Sequence, residues 1–276
     1  MLIYKFNKPF LRHIMFFYLE LKSAIFSKYH VRGNLKFIKR LYVRLIVNYI
    51  ESFNYYFSKI FEKNKTEINK TKKLDINING VEFLKNVDLN SIDFLKINNN
   101  KDKNQITSKN EINFKKGEIF AKNLGFHNLA KNYLNTSSCN FFISSWNTFS
   151  FKNDDELKTG LWHRDRDGIK LLKFFIYLSD VDETTGPHYF ISGSHKKKPL
   201  RFVPQFRYED IKIREYYNEN EILKIVGSKG TCFMEDTTGI HRGSRPYFEK
   251  YRSILSYSYF TGPLYYEENC KLINLN

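Results

Sequence analysis

The sequence predicts a mainly β protein with helical additions, built on a double-sheet jelly roll. Short runs of β-branched and aromatic residues recur between about residues 140 and 260, as expected of strands. Glycine-containing turns separate these runs, and one charged helical stretch interrupts the series. Many short strands joined by such turns are typical of two packed β-sheets.

The strands of this fold are predicted from residue 81 onwards. Two short apolar islands, 81–84 and 92–95, suit short strands among loops, and 119–134 has helical spacing. Residues 180–187 end in Gly186-Pro187 and predict a turn, and 208–223 predict a charged helix. The main predicted strands are residues 140–151, 169–178, 188–191, 227–234 and 252–260.

The chain divides into an N-terminal extension, residues 1–62, and a main domain, residues 63–276. Large apolar residues recur at helical spacing in the extension, with basic residues on the opposite side, so it predicts a helical hairpin packed on the main domain. The alternative is a peripheral contact of the same basic helices with an anionic membrane surface. Residues 96–116 are rich in Lys and Asn and are predicted to form a polar, mobile insertion.

Composition restricts the partners and the compartment. The 276 residues carry a formal charge of +16, but Lys, Asn and Ile are all over-used, as in chains encoded by AT-rich DNA. Without a clustered basic groove, this charge does not indicate a nucleic-acid partner, and none is expected. The three cysteines are widely spaced and favour a reducing compartment. We therefore expect a cytoplasmic protein, with membrane association as the alternative.

Three residues form a candidate metal site. His163 and Asp165 are two apart, so in an extended strand they share one face. His241 follows a turn-rich segment far downstream and is the best candidate for a third ligand. Two histidines and one carboxylate leave coordination positions open, as in non-haem Fe(II) oxygenases. Arg252 starts the next strand and could bind a dicarboxylate with its two-pronged guanidinium.

Several motifs resemble the phytanoyl-CoA dioxygenase family in order and spacing. They are residues 162–165, 177–182, 186–188, 193–195 and 239–243, followed by Arg252. The resemblance implies a double-stranded β-helix, or cupin-like, core that uses Fe(II) and 2-oxoglutarate. It implies that His163, Asp165 and His241 are the catalytic iron ligands, and that Arg252 binds the distal carboxylate of 2-oxoglutarate.

The activity that this resemblance implies is a dioxygenase reaction. Dioxygen is consumed, 2-oxoglutarate is converted to succinate and CO2, and a small organic or lipid-like substrate is hydroxylated. Related halogenases have a small residue where this chain has Asp165, so hydroxylation is favoured over halogenation. A cupin-like protein that binds a metal or ligand without turnover is the alternative, although a complete set of site residues argues against it.

Other candidate residues lie on the predicted strands. Lys173 shares a face with Phe175 and Tyr177, and it either helps to neutralise 2-oxoglutarate or points to solvent. Either Asn147 or its neighbour Trp146 is expected to face the cavity, with Asn147 a candidate hydrogen-bond donor. We accordingly assign Lys173, Asn147 and Tyr177 to the cosubstrate pocket together with Arg252.

Three further positions lie near the predicted site. His188 is predicted to be a structural turn histidine. Arg164 is predicted to lie in a charged loop at the cavity mouth. Some relatives use a hydroxyl residue at the position of Ile254, so a residue from another strand is expected to complete the carboxylate pocket.

Overall fold

The computed structural model describes residues 74–98, 107–150, 160–165, 168, 170–199, 202, 207–247, 249–261 and 270–275. The predicted extension, residues 1–62, lies outside this part of the chain, and so does its membrane-contact alternative. The boundary predicted at residue 63 lies outside it as well. None of the described helices is long and apolar enough to span a membrane.

Antiparallel strands dominate the described part of the chain, as predicted. The strands are β1 (Val81–Phe83), β2 (Leu95–Lys96), β3 (Thr107–Lys109), β4 (Glu111–Ile112), β5 (Ser138–Phe149), β6 (Trp162–His163), β7 (Leu171–Tyr177), β8 (His188–Ile191), β9 (Arg207–Tyr208), β10 (Ile222–Ile225), β11 (Cys232–Glu235), β12 (His241–Gly243), β13 (Tyr251–Phe260) and β14 (Lys271–Asn274). The α-helices are α1 (Ile76–Asn79), α2 (Phe114–Asn123), α3 (Phe126–Leu134) and α4 (Asp210–Arg214).

Two sheets form the jelly roll. The larger sheet has the order β1-β11-β7-β13-β5-β14, with β3 also paired to β5, and the smaller has the order β10-β8-β12-β6-β9. All of the pairings in these sheets are antiparallel. The predicted fold class, a mainly β jelly roll with helical additions, is confirmed.

Helices α2 and α3 cover one face of the larger sheet. Phe126 of α3 stacks on Phe174 of β7 with ring centroids 4.1 Å apart, and Phe141 of β5 joins the same core. The opposite face of the sheet carries a second apolar cluster that includes Phe175 and Phe233. Because both faces of the larger sheet are buried, its strands are apolar on both sides.

Helices α2 and α3 meet at a glycine. The predicted helical stretch, residues 119–134, is divided by Gly125, which has a positive φ of 76°. Asn113 caps the start of α2, where its side chain accepts a hydrogen bond from the backbone N–H of Lys116. The break allows both helices to lie across the same sheet.

Two short strands lie within the predicted polar insertion. Residues 107–112 form β3 and β4, and Asn110 explains why this polar segment is held. Its amide donates to the Ser145 hydroxyl at 2.8 Å, and its carbonyl oxygen accepts from the backbone N–H of Asn98 at 2.9 Å. In these residues side-chain hydrogen bonds replace the apolar burial that the segment lacks, and the mobility of the insertion stays a prediction.

Two other elements differ from prediction. The charged helix predicted at residues 208–223 is limited to α4, followed by a 3-10 turn at Glu219–Glu221 and strand β10. The C-terminal strand β14 was not predicted, and it pairs with the start of β5. Its burial comes from Ile273 and the following Leu275, which pack in the helix-covered core.

Candidate active site

The pairing of β6 with β12 brings two candidate metal ligands together. His163 and His241 are directly opposite in the register, with ring centroids 4.3 Å apart. The chain then leaves β6 with the backbone N–H of Asp165 bonded to the Thr237 carbonyl at 2.8 Å. The three side chains therefore converge, and each offers a ligand atom that lies within 4.8 Å of the other two.

Both histidines present the same ring nitrogen to this centre. Nδ1 of His163 lies 3.1 Å from the Leu161 carbonyl oxygen, and Nδ1 of His241 lies 3.0 Å from that of Gly239. A carbonyl can only accept, so each Nδ1 carries the proton and each Nε2 has its lone pair available for a metal. Burial lowers the pKa of both histidines, that of His241 to about 4, which keeps them neutral and able to bind a cation.

An aromatic and ionic cluster lies on the reverse side of these two strands. The guanidinium of Arg242 lies over the Trp162 ring, 4.5 Å from its centroid, and also approaches Tyr189. One carboxylate oxygen of Asp210 accepts from the Trp162 indole at 2.8 Å and from Arg242 at 2.6 Å. Because Trp162 and Arg242 adjoin the two histidines in sequence, this cluster fixes the strands that carry them. Trp162 therefore faces away from the metal side.

Lys173 faces the candidate metal site rather than solvent. Its ammonium lies 2.7 Å from Oδ2 of Asp165, and both side chains are largely buried. The predicted face of β7 is also seen at Phe175 and Tyr177, which pack in the inner apolar cluster. The Lys173 ammonium and the two histidines lower the pKa of Asp165 despite its burial, so Asp165 is a carboxylate.

Arg252 is buried on the face of β13 that carries Ile254 and the second apolar cluster. Its guanidinium donates to the Gly186 carbonyl and packs against Gly243, where a Cβ atom would collide with Nη2. Thr148 is its direct cross-strand partner and shares its face. The Nε of Arg252 is buried with no hydrogen-bond partner among the described residues, as expected of a cation that awaits an anionic ligand. Thr148 thus places a hydroxyl-bearing residue beside Arg252, and the completion of the carboxylate pocket by a residue from another strand stays a prediction.

Tyr177 lies on the wall beside Arg252. Its hydroxyl donates to the Ile225 carbonyl at 2.8 Å, and burial raises its pKa. The phenol is therefore neutral and held in place. It contributes to the shape of the pocket and lies close to Arg252.

Two of the sequence assignments were wrong in orientation. The Asn147 amide donates to the Asn98 carbonyl at 2.8 Å and to Asn110, so it fastens β5 to the neighbouring segment. Its neighbour Trp146 packs on the inner cluster instead. Arg164 is buried, with 2% exposure, rather than part of a solvated loop.

Two functional candidates were missed by sequence reasoning. His188 was predicted to be a turn residue, but it begins β8 and its ring lies 5.6 Å from that of His241. Glu235 ends β11, is fully buried, and lies 2.7 Å from His188 through Oε2. Desolvation raises the pKa of Glu235 to about 8 and lowers that of His188 to about 3. The one sequence feature that could have indicated His188 or Glu235 is a polar residue within an otherwise apolar strand.

The family-model comparison matches residues 71–246 to the description "Phytanoyl-CoA dioxygenase (PhyH)". The chain belongs to the phytanoyl-CoA dioxygenase family. The predicted resemblance is confirmed, as is the coarse enzyme class, an iron- and 2-oxoglutarate-dependent oxygenase. Family membership and the His-Asp-His cluster likewise confirm iron and 2-oxoglutarate as the cofactors.

Solved structures similar to this phytanoyl-CoA dioxygenase family member share little sequence with it. EctD from S. alaskensis, with 2-oxoglutarate and 5-hydroxyectoine, has 15% identity and a TM-score of 0.48, covering 72% of this chain and 78% of that one. The epimerase SnoN from nogalamycin biosynthesis has 13% identity and a TM-score of 0.46, covering 67% and 80%. AviO1 from Streptomyces viridochromogenes Tue57 has 14% identity and a TM-score of 0.45, covering 71% and 100%. No curated protein sequence matches significantly.

Both cofactors fit the residues present. Two neutral imidazoles and a carboxylate are the donor set of non-haem Fe(II) sites. A buried arginine whose Nε has no hydrogen-bond partner in the part of the chain that the structure describes suits the distal carboxylate of 2-oxoglutarate.

Proposed function

We propose that this protein is a dioxygenase that hydroxylates a small organic or lipid-like substrate and converts 2-oxoglutarate to succinate and CO2. The observation that carries the proposal is the convergence of His163, Asp165 and His241, whose ligand atoms lie within 4.8 Å of one another, together with the buried cation Arg252 on the inner face of the larger sheet. A metal site and a buried carboxylate-binding cation are both needed for this chemistry. A protein that only binds ligands has no need of the full set.

In this proposal His163, Asp165 and His241 hold Fe(II) through one ligand atom each. The bound iron and 2-oxoglutarate supply the activation of dioxygen and the oxidising power for the C–H bond. His163 and His241 stay oriented because their Nδ1 protons are held by backbone carbonyls. Lys173 holds the Asp165 carboxylate at 2.7 Å and compensates part of its charge.

The rest of the cavity binds the cosubstrate and excludes water. Arg252 would pair with the distal carboxylate, and the neighbouring Thr148 offers a hydroxyl beside it. Tyr177, Phe175 and Ile254 form an apolar wall, so water is excluded from the cavity and the ionic contacts within it are strengthened.

Asp165 supports hydroxylation as the outcome. A carboxylate at this position keeps the third protein ligand in place, whereas a small residue would open a coordination position for another anion. The proposed partners are thus dioxygen and a small-molecule substrate that enters beside the metal.

Succinate formation is the direct test. Purified full-length protein would be supplied with Fe(II), ascorbate, 2-oxoglutarate and air, together with a metabolite extract, and mass spectrometry would follow succinate and products that gain one oxygen. We expect succinate from the wild type and none above background from Asp165→Ala. Tight iron and 2-oxoglutarate binding without succinate in any extract would instead identify a cupin-like binding protein.

A further inference from the structure

His188 lies between the metal triad and Arg252. On one side its ring is 5.6 Å from the ring of His241, measured between centroids, with an angle of 23° between the ring planes. On the other side, His188 is the cross-strand partner of Gly243, the residue against which the Arg252 guanidinium packs. Cross-strand partners share a face, so the imidazole stands along the path from the metal to the arginine.

Glu235 supports His188 from the facing sheet. Its Oε2 lies 2.7 Å from His188 Nε2, and its Oε1 lies 3.6 Å from Nδ1 of His241. His241 already donates this proton to the Gly239 carbonyl at 3.0 Å. The closer contact of Glu235 is therefore with His188, which makes His188 the side chain that it orients.

No third residue that the structure describes bonds to this pair. Apart from their mutual 2.7 Å contact, Nε2 of His188 and the two carboxyl oxygens of Glu235 have no hydrogen-bond partner among the described residues, although both side chains are at least nine-tenths buried. Buried polar groups that lack partners are costly and rare. The pair sits among Phe175 and Phe233, where apolar side chains of similar volume would avoid this cost.

We propose that His188 is a cosubstrate-binding residue that contacts 2-oxoglutarate between the metal and Arg252, and that Glu235 is the positioning residue that orients the His188 ring. The inference rests on the proposed function, because it assigns a further contact to the same cosubstrate. It adds a polar contact midway along a pocket whose two ends are the metal and the arginine.

The charges in the cavity fit a doubly negative ligand that arrives with a divalent metal. Lys173 and Arg252 are cationic, Asp165 and Glu235 are acidic, and Glu235 is directly opposite Lys173 in the register of β11 and β7. Burial raises the pKa of Glu235 to about 8, so at neutral pH it is mainly protonated and the other three side chains carry one net positive charge. Fe(II) and 2-oxoglutarate balance each other, so their joint binding adds no net charge to a site that apolar side chains surround.

The test is a binding measurement that does not depend on turnover. Isothermal titration calorimetry under nitrogen would give the Kd of 2-oxoglutarate for the Fe(II)-loaded full-length protein, with iron content and Tm measured for every sample. The variants are His188→Leu, Glu235→Leu, Glu235→Gln and the double Leu variant. His127→Leu is the matched control, because His127 is a buried histidine in the helix-covered side of the sheet, 3.0 Å from the Tyr259 hydroxyl.

We expect His188→Leu to raise the Kd about tenfold or more at unchanged iron content, since a hydrogen bond to a charged ligand is lost. Glu235→Leu should have a similar effect, and Glu235→Gln, whose amide can still donate to Nε2 and leave the proton on Nδ1 for the ligand, should stay within about threefold of wild type. The double variant should bind no more weakly than His188→Leu alone, because Glu235 acts through His188. His127→Leu should lower Tm and leave the Kd unchanged.

An unchanged Kd in His188→Leu would overturn the assignment while leaving the proposed function intact. Fully additive losses in the double variant would overturn the positioning role of Glu235. If the Fe(II)-loaded wild type itself bound no 2-oxoglutarate, the proposed function would fail, and the assignment of His188 would fail with it.

Discussion

Lys173 and Asp165 form a largely buried ion pair beside the candidate metal, and replacing Lys173 by Met should destabilise the metal-free protein more than the metal-loaded protein. The two charged atoms are 2.7 Å apart, and the side chains are 18% and 17% exposed. Removing one partner of a buried pair typically costs 3–5 kcal/mol. We expect about 3 kcal/mol, the lower end, because both groups retain some solvent contact. For a domain of this size that corresponds to a Tm lower by about 6–12 °C.

A bound divalent cation should compensate for much of this loss, because it supplies a counter-charge to Asp165 that the Met side chain cannot. Differential scanning calorimetry with EDTA and with excess Mn(II) would measure both Tm differences, and we expect the deficit to fall by at least half in Mn(II). Lys116→Met is the matched control. Its ion pair with Asp93 has the same 2.7 Å distance but is exposed, so its Tm should hardly change in either buffer. Equal losses for Lys173→Met with and without metal would refute the reasoning.

Three further predictions address the support of the site. Asp210→Ala removes the contacts to Trp162 and Arg242, so it should weaken Mn(II) binding several-fold while the circular dichroism spectrum stays unchanged. An unaltered Mn(II) affinity would exclude a positioning role for Asp210. Arg252→Lys should raise the KM for 2-oxoglutarate about tenfold or more, since the two-pronged contact is lost, and succinate assays that show no change would contradict the assignment. In the metal-free protein the pKa of His188 is about 3 in the folded state and 6.5 when unfolded, so its contribution to stability is complete above about pH 6.5 and declines towards pH 3. Between these pH values, the free energy of unfolding of His188→Leu, measured in urea, should change with pH by about 1.4 kcal/mol per pH unit less than that of the wild type. An identical slope in the two proteins would refute the shift.

The metal ligands could be predicted from sequence because their chemistry is local. The residue types and the spacing of His163 and Asp165 already indicate a shared strand face, and His241 and Arg252 follow in the order that the family motif requires. The fold class could be predicted for a similar reason, since short apolar strands and glycine turns alternate along the chain. The sequence pattern could not predict which strands pair over long range, and the structure shows that β6 pairs with β12.

The misassignment of Asn147 on β5 arises because both faces of the large sheet are buried. With apolar residues on both sides of β5, alternation does not tell which face is inward, so Asn147 was assigned to the wrong side and Trp146 was not chosen. Glu235 and His188 were missed because an isolated polar residue in a strand normally points to solvent. Only the packing of the larger sheet, which contains β11, against the smaller sheet, which contains β8, shows their burial.

The central claim is that His163, Asp165 and His241 jointly hold one catalytic metal ion. Titration with Mn(II), followed by electron paramagnetic resonance of the free ion, measures the number of sites and their affinity without requiring turnover. We predict one tight site per chain in the wild type and loss of that site, by at least about a hundredfold in Kd, when any one of the three residues is replaced by Ala. Wild-type affinity in any of these three variants would contradict the account.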